Sequence, residues 1–256
     1  MNVLVTGGTG VLGRQVVMQL RASGHRARIL SRNPKGHVDV VQGDLATGQG
    51  LLKAVSGMDA IIHAASATRE RHRGKATDVV GTRRLVAMAR EARVGHVVYI
   101  SIVGMEGINY PYYKRKLAAE AVVRENIIPW SILRATQFHP FIEIILGYFC
   151  KVPGLATVPF DWKFQPVDTS EVARRLIEVV KGKPTGMLPD FGGPEVRDLK
   201  SLAESWLAAR KDRRRLVNVR LPVRYGRQFA EGKLLCPDHK DGKITFERYL
   251  SEKYGQ

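Results

Sequence analysis

The chain is 256 residues long and carries 41 Lys and Arg against 24 Asp and Glu, a formal charge of +17, with two cysteines. That length suits one large α/β domain, or one domain with a small appendage, and is ample for a buried core. Cys150 and Cys236 exclude a disulfide framework and a cysteine-based metal site, so no metal is expected and a reducing compartment is indicated. The longest apolar stretch, Phe138 to Cys150, is interrupted by Pro140 and Glu143 and is too short to span a bilayer. The amino terminus enters an apolar run with no signal-peptide pattern. A soluble, cytoplasmic protein is expected.

The positive charge is densest in Arg69 to Arg93, with eight basic residues against three acidic, and in Arg197 to Lys233, with eleven against four. Such a field attracts nucleic acid, anionic lipid or phosphorylated ligands. The basic residues are spread over many elements without a helix-turn-helix, zinc-finger or aromatic RNA-binding pattern, so a dedicated nucleic-acid reader is not expected.

Asn2 to Val5 reads as a strand, and Thr6, Gly7, Gly8, Thr9, Gly10, Val11, Leu12 and Gly13 follow before an amphipathic helical run, Arg14 to Ser23. Glycines let the backbone turn tightly out of the strand and approach an anion, while amides at the helix start supply donors. A pyrophosphate is the natural occupant of this strand, turn and helix.

Ala27 to Leu30 is the second strand, ending at Ser31 and Arg32 with no acidic residue near its end. Val38 to Val41 is a third, followed by Gly43, Asp44 and Leu45. Leu51 to Ser56 is a helix, and Ala60 to His63 a strand leading into Ala64, Ala65 and Ser66. His63 is expected to be packed rather than catalytic. Thr68 to Lys75 is a polar, basic loop. Asp78 to Ala92 has helical periodicity, and Val97 to Ile100 reads apolar throughout, as a strand buried on both faces does. Ser101 follows it. Repeats of strand, helix and strand imply right-handed crossovers and a parallel sheet. Ligands then lie at the carboxyl ends of the strands.

Tyr112, Tyr113, Lys114, Arg115 and Lys116 open a helix, and Tyr112 and Lys116, four apart, share one face. Trp130 to Leu133 is a further strand, before Arg134, Ala135, Thr136, Gln137 and Phe138. Phe138 to Tyr148 would give an apolar lid or pocket wall including His139, Phe141 and Ile142, or a core helix or subunit contact. Ser170 to Val180 is a helix, Met187 to Phe191 a strand, Leu199 to Ala209 a helix, Lys211 to Arg215 a basic stretch, Val217 to Leu221 a strand and Arg224 to Glu231 a helix.

Gly7, Gly10 and Gly13 in a Gly-x-x-Gly-x-x-Gly run, with Tyr112 and Lys116 in a Tyr-x-x-x-Lys pair, resemble the atypical, NmrA-like branch of the short-chain dehydrogenase/reductase superfamily. The resemblance is strongest from Met1 to Gln137 and again at Phe164 to Ala173. It implies a Rossmann-type doubly wound parallel sheet with a small carboxyl-terminal subdomain, divided as residues 1–193, with 137–165 contributing to a substrate pocket, and residues 194–256 for substrate or partner.

The resemblance further implies that Tyr112 gives or takes the proton at the substrate oxygen, that Lys116 binds the nicotinamide ribose and lowers the phenol pKa, and that Ser101 polarises the carbonyl. Tyr113 is the alternative if the helix starts late, and Ile102 and Val103 depart from the family's paired serines. Cofactor contacts are expected from Gly7, Thr9, Gly10, Val11, Leu12, Gly13, Ser31, Arg32, Asp44, Leu45, Ala64, Ala65, Ser66, Ser101, Lys116, Ala135, Thr136, Gln137 and Phe138. Asp44 would meet the adenine amino group, cap a helix, or both. Arg32 presents a planar fork to a 2′-phosphate where NAD sites hold an acid, which favours NADP(H) over NAD(H), or stands as a loop arginine before Asn33 and Pro34.

Together these residues imply an NADP(H)-dependent oxidoreductase reducing a carbonyl or quinone-like apolar substrate. The alternatives are a redox-sensing regulator that binds dinucleotide and acts through a protein partner or homo-oligomer, and a basic nucleic-acid binder that retains a vestigial cofactor fold.

Overall fold

The computed structural model describes residues 1–34, 39–68, 75–221 and 226–255. In chain order its strands are β1 (Asn2–Thr6), β2 (Arg26–Ser31), β3 (Val40–Gln42), β4 (Ala60–His63), β5 (His96–Ile102), β6 (Trp130–Ala135), β7 (Leu155–Val158), β8 (Lys163–Phe164), β9 (Gly186–Met187), β10 (Arg197–Asp198) and β11 (Arg215–Asn218). Its α-helices are α1 (Val11–Ala22), α2 (Leu51–Val55), α3 (Gly81–Glu91), α4 (Pro111–Arg124), α5 (His139–Phe149), α6 (Thr169–Lys181), α7 (Leu199–Ala209), α8 (Gly226–Ala230) and α9 (Phe246–Tyr254).

The chain forms two compact units, each discontinuous in sequence. The first comprises Met1–Ser101, Pro111–Arg134 and Val172–Pro189, and the second Ile102–Tyr110, Ala135–Glu171 and Asp190–Gln256. Where the sequence suggests a boundary at 193/194, the second unit therefore also takes in two earlier segments.

The central sheet has the order β3-β2-β1-β4-β5-β6-β9, a parallel, doubly wound arrangement. Asn2 pairs with Arg26 and Val3 with both Ala27 and Ala60, which sets the register around the central strand. Apolar side chains on alternate positions separate to the two faces. Leu4, Ile61, Val97, Tyr99 and Ile132 on one face pack with Leu51 and Ala54 of α2, Leu85 and Ala89 of α3, and Ala119 and Val123 of α4. Strand β5 is buried along almost its whole length, as a run without polar alternation requires.

The structure shifts several expected boundaries. Strand β5 extends past Ile100, so Ser101 lies inside it rather than after it. The helix expected from Asp78 begins instead as a π-helical turn, Ala76–Val80, before α3. The strand expected at Met187 to Phe191 is confined to β9, and Phe191 makes an isolated bridge to Ala135. Val38 of the third strand, residues 69–74 of the basic loop, and residues 224 and 225 of the helix from Arg224 lie outside the described residues.

In the second unit, α5, α7 and α9 enclose Phe164, Trp206, Phe246 and Leu250. Strands β8 and β10 pair antiparallel, and β7 and β11 pair parallel. The Glu143 carboxylate on α5 is saturated by Tyr249 Oη at 2.5 Å, Tyr254 Oη at 2.6 Å, Lys253 Nζ at 2.5 Å and Trp206 Nε1 at 3.1 Å. These bonds hold its pKa below the ordinary range against the opposing effect of burial. The stripe expected as a pocket wall divides: His139 and Ile142 are buried in this core, whereas Phe141 is exposed.

Candidate active site

The glycine turn after β1 and the small residues after β4 are built against each other. Gly7 has φ +71°, and a Cβ there would lie 2.7 Å from the Ala65 amide and 2.8 Å from the Ala64 carbonyl oxygen, so position 7 has no room for a side chain. At Gly13 a Cβ would lie 2.1 Å from the Gly7 carbonyl oxygen, which lets α1 start directly on the turn. Gly10 N–H donates to the Gly7 carbonyl at 2.9 Å, and α1 has no side-chain cap. The next amides, Val11, Leu12 and Gly13, have no acceptor within the helix. They are the donors that a diphosphate requires.

A cleft of about 470 Å³ opens here, a size typical of small-ligand sites. Gly7, Thr9 and Gly10 form its floor, Ser31, Arg32, Asp44 and Leu45 one wall, and Ala64, Ala65 and Ser66 another. Ten residues expected to touch a cofactor thus meet in one place. Leu30, Asn33, Gly43, Ala67 and Thr77 also line it, without a signal in the sequence. Val11, Leu12 and Gly13, also expected as contacts, are not among the residues that line it, and Leu12 is a core side chain. Asp44 caps no helix. Its Oδ1 accepts from the Ala46 amide at 2.9 Å, fixing a turn, and α2 starts later from Gly50.

Amides at the start of α1 and the small residues facing them suit the diphosphate of a dinucleotide.

Beside the cleft, the Ser66 hydroxyl lies 3.2 Å from the Tyr112 hydroxyl and 3.1 Å from Asp78 Oδ1. Asp78 is buried, and it also accepts from the Ala67 amide at 2.8 Å and from Arg115 Nε at 3.1 Å. An ionised carboxylate only accepts, so the single Ser66 proton is directed to Asp78 and the Tyr112 proton to Ser66. The π-helical turn aims Asp78 at this loop; a π-bulge of this kind commonly marks a functional site. From the sequence alone Asp78 is no more than a counter-charge. Its signal is an acid at a helix start, four residues before Thr82, whose hydroxyl donates to the Asp78 carbonyl at 2.6 Å.

Of the two neighbouring tyrosines, Tyr113 is buried and Tyr112 is half-buried with its hydroxyl at Ser66. Lys116, one turn on, is buried with Nζ 2.8 Å from the Ile100 carbonyl oxygen and 4.1 Å from the centre of the Tyr99 ring. Burial pushes its pKa down to about 8, opposed by Asp78 and Glu120. His63 is structural, as expected. It bridges Thr6 Oγ1 at 2.6 Å and Thr82 Oγ1 at 2.9 Å, and burial, helped by the Lys116 charge, pushes its pKa down to about 3. It is neutral at physiological pH.

Ser101 is buried, and its Oγ makes no hydrogen bond, so it is not joined to Tyr112. Ala135, Thr136, Gln137 and Phe138 belong to the second unit. There Thr136 Oγ1 accepts from Gly193 N–H at 3.2 Å, Gln137 accepts from Gln165 N–H at 3.0 Å and donates to the Leu234 carbonyl at 2.8 Å, and Phe138 caps α5.

A parallel sheet with a glycine turn between its central strand and first helix defines a Rossmann-type dinucleotide-binding protein. A family profile described as NAD(P)H-binding matches residues 7–140, just over half of the chain. The chain belongs to this NAD(P)H-binding family.

Among its relatives, it is 30% identical over 148 residues to photosystem II assembly factor Ycf39 of Trieres chinensis, covering 54% of this chain and 46% of that protein. It is 32% identical over 217 residues to the ceramide reductase of Caulobacter vibrioides, covering 80% of this chain and 67% of the reductase. A short-chain dehydrogenase/reductase superfamily protein from Agrobacterium tumefaciens, solved with bound NAD, superposes with a TM-score of 0.77 at 22% identity, covering 100% of this chain and 96% of that one. The chain spans between 46% and 61% of the length of several curated relatives that it matches.

Proposed function

We propose that the protein is an NADP(H)-dependent oxidoreductase that reduces a carbonyl or quinone-like apolar substrate. The observation that carries this reading is the position of the Tyr112 hydroxyl, held by Ser66 at the rim of the cleft with the buried Lys116 cation one helical turn below. NADPH held at Gly7, Thr9 and Gly10 would supply the hydride for the reduction. Tyr112 delivers the proton to the substrate oxygen, and the Lys116 charge stabilises the phenolate left behind. Ser66 and Asp78 orient the phenol. Ser101 is assigned the polarising role on the strength of a buried hydroxyl with no partner of its own.

The preference for NADP(H) is supported by Arg32 on the cleft wall, between Ser31 and Asn33, where no acid stands to hold a ribose 2′-hydroxyl. The apolar class of substrate is supported by the similarity to a ceramide reductase. The test is NADPH consumption by the purified chain over a panel of long-chain ketones, enones and quinones. Turnover that persists undiminished in Tyr112→Phe would remove Tyr112 as proton donor.

The similarity to an assembly factor favours a second reading, a dinucleotide-binding regulator that acts through a protein partner. Such a protein would bind NADPH and NADP+ with different affinities and show no substrate-dependent NADPH oxidation anywhere in the panel.

A further inference from the structure

Helix α5 buries one side, including Ile142 and Leu146, in the core of the second unit and leaves the other uncovered. Phe141, Ile144 and Tyr148 stand at i, i+3 and i+7 and share that outer face, at 45%, 38% and 67% exposure. Single exposed apolar residues need no explanation, but a stripe along one helix does.

Cations border this stripe. The basic stretch after α7 is tied to the end of α5: the Arg214 guanidinium donates to the Cys150 carbonyl, and Arg215 N–H donates to the Gly154 carbonyl at 3.0 Å. A shallow cleft along α5 is lined by Ile144 together with Arg210, Arg214 and Lys253. Lys151 lies with Nζ 4.5 Å from the centre of the Tyr148 ring. Lys151, Arg210, Lys211, Arg213, Arg215 and Lys253 are all exposed. The two carboxylates among them are already engaged, Glu143 by Lys253 at 2.5 Å and Asp212 by Arg214 at 3.5 Å.

We propose that this face of the second unit docks on an anionic lipid surface, with Phe141, Ile144 and Tyr148 entering the interfacial layer and the surrounding cations meeting lipid phosphates. An apolar stripe rimmed by Lys and Arg, with an aromatic residue near the boundary, is the chemistry of a helix lying in a membrane interface. A protein partner with acidic residues would meet the cations equally well. A bilayer accounts better for the continuous apolar stripe and for the long lysine and arginine side chains that flank it. The inference is independent of the reaction at Tyr112.

The test is co-sedimentation of the full chain with phosphatidylcholine vesicles, with and without phosphatidylglycerol, at physiological ionic strength. The first unit holds 24 of the 41 Lys and Arg and only 9 of the 24 Asp and Glu, so charge alone could bring it to an anionic vesicle, and a control there is required. Binding is expected only with phosphatidylglycerol and should weaken as salt rises. Tyr148→Asp, and separately Lys211→Glu with Arg213→Glu and Arg215→Glu, should each reduce it about tenfold or more. The control Arg90→Glu with Arg124→Glu should leave it within about twofold. Unchanged far-ultraviolet circular dichroism and an unchanged urea-unfolding midpoint report that the variants remain folded.

In the wild-type chain, which needs no substitution, amide exchange should slow over residues 141–152 and 210–215 when vesicles are added. Absence of vesicle binding, loss equal to that of the control, or exchange protection confined to the first unit would overturn the proposal. So would a dimer in gel filtration that Tyr148→Asp converts to monomer, or capture of duplex DNA abolished by the same variants.

Discussion

Replacement of Lys116 by Met separates the cost of a buried cation from its use. Burial lowers the Lys116 pKa from 10.5 to about 8, whereas in the unfolded chain the group titrates at its ordinary value. Between those values the unfolded state binds more protons than the folded state, so the wild-type chain gains stability as pH rises from about 8 towards 10.5. A tenfold change in proton affinity corresponds to about 1.4 kcal/mol, so at pH 7 the charged lysine costs the fold about 3 kcal/mol. A methionine side chain in its place would remove that cost and fill similar volume, while leaving the Ile100 carbonyl without the bond that Nζ gives it at 2.8 Å, a loss of about 1–2 kcal/mol.

The Lys116→Met variant is therefore expected to be more stable than wild type by about 1–2 kcal/mol at neutral pH. That advantage should shrink by about 2 kcal/mol between pH 7.5 and pH 10. Urea denaturation of both proteins at a series of pH values measures the difference directly and cancels the titrating groups that do not feel the Lys116 charge; His63, which does, stays neutral over this range. The same variant should lose NADPH affinity and turnover. A stability difference that stays flat over that range would refute the account of Lys116 as a desolvated cation.

Tyr112→Phe should lower kcat about a hundredfold or more while sparing NADPH affinity, as read from steady-state kinetics and a binding titration. Arg32→Glu should weaken NADPH binding about tenfold or more and leave NADH little changed, since it removes a charge-assisted contact to a phosphate that only NADPH carries. Asp78→Ala should destabilise the protein by about 2–4 kcal/mol in urea melts, because it strands the Ala67 amide and leaves the Arg115 guanidinium, 19% exposed, without its carboxylate.

The glycine turn was legible because Gly7 and Gly13 answer to backbone geometry that any other residue would violate, and such constraints are written in sequence. The parallel sheet was legible for a similar reason: Ala60 to His63 and Val97 to Ile100 carry no polar alternation, which only a strand covered on both faces allows. Asp78 was not legible as a site residue. Its role depends on a π-turn and on Ala67 and Arg115, eleven residues before it and thirty-seven after it, and no local pattern announces that meeting.

The bonds of Thr136 to Gly193 and of Gln137 to Leu234 join residues distant in sequence, and no local pattern announces them. Helix α9 is faintly marked in the sequence, although Thr245 caps it by accepting from Arg248 N–H at 3.2 Å and Phe246, Tyr249 and Leu250 recur at helical spacing. The charged residues between them mask the apolar face. The division into two units was hidden because β6 runs to Ala135 in one continuous strand while the grouping of contacts changes at that residue.

The central claim is that the turn after β1 and Arg32 together hold a phosphorylated dinucleotide. Isothermal titration of the folded chain with NADPH and with NADH tests it most directly. The expected result is one molecule of NADPH bound per chain, more tightly than NADH, with the difference abolished in Arg32→Glu. Absence of binding heat for both nucleotides, in a chain shown by circular dichroism to be folded, would contradict it.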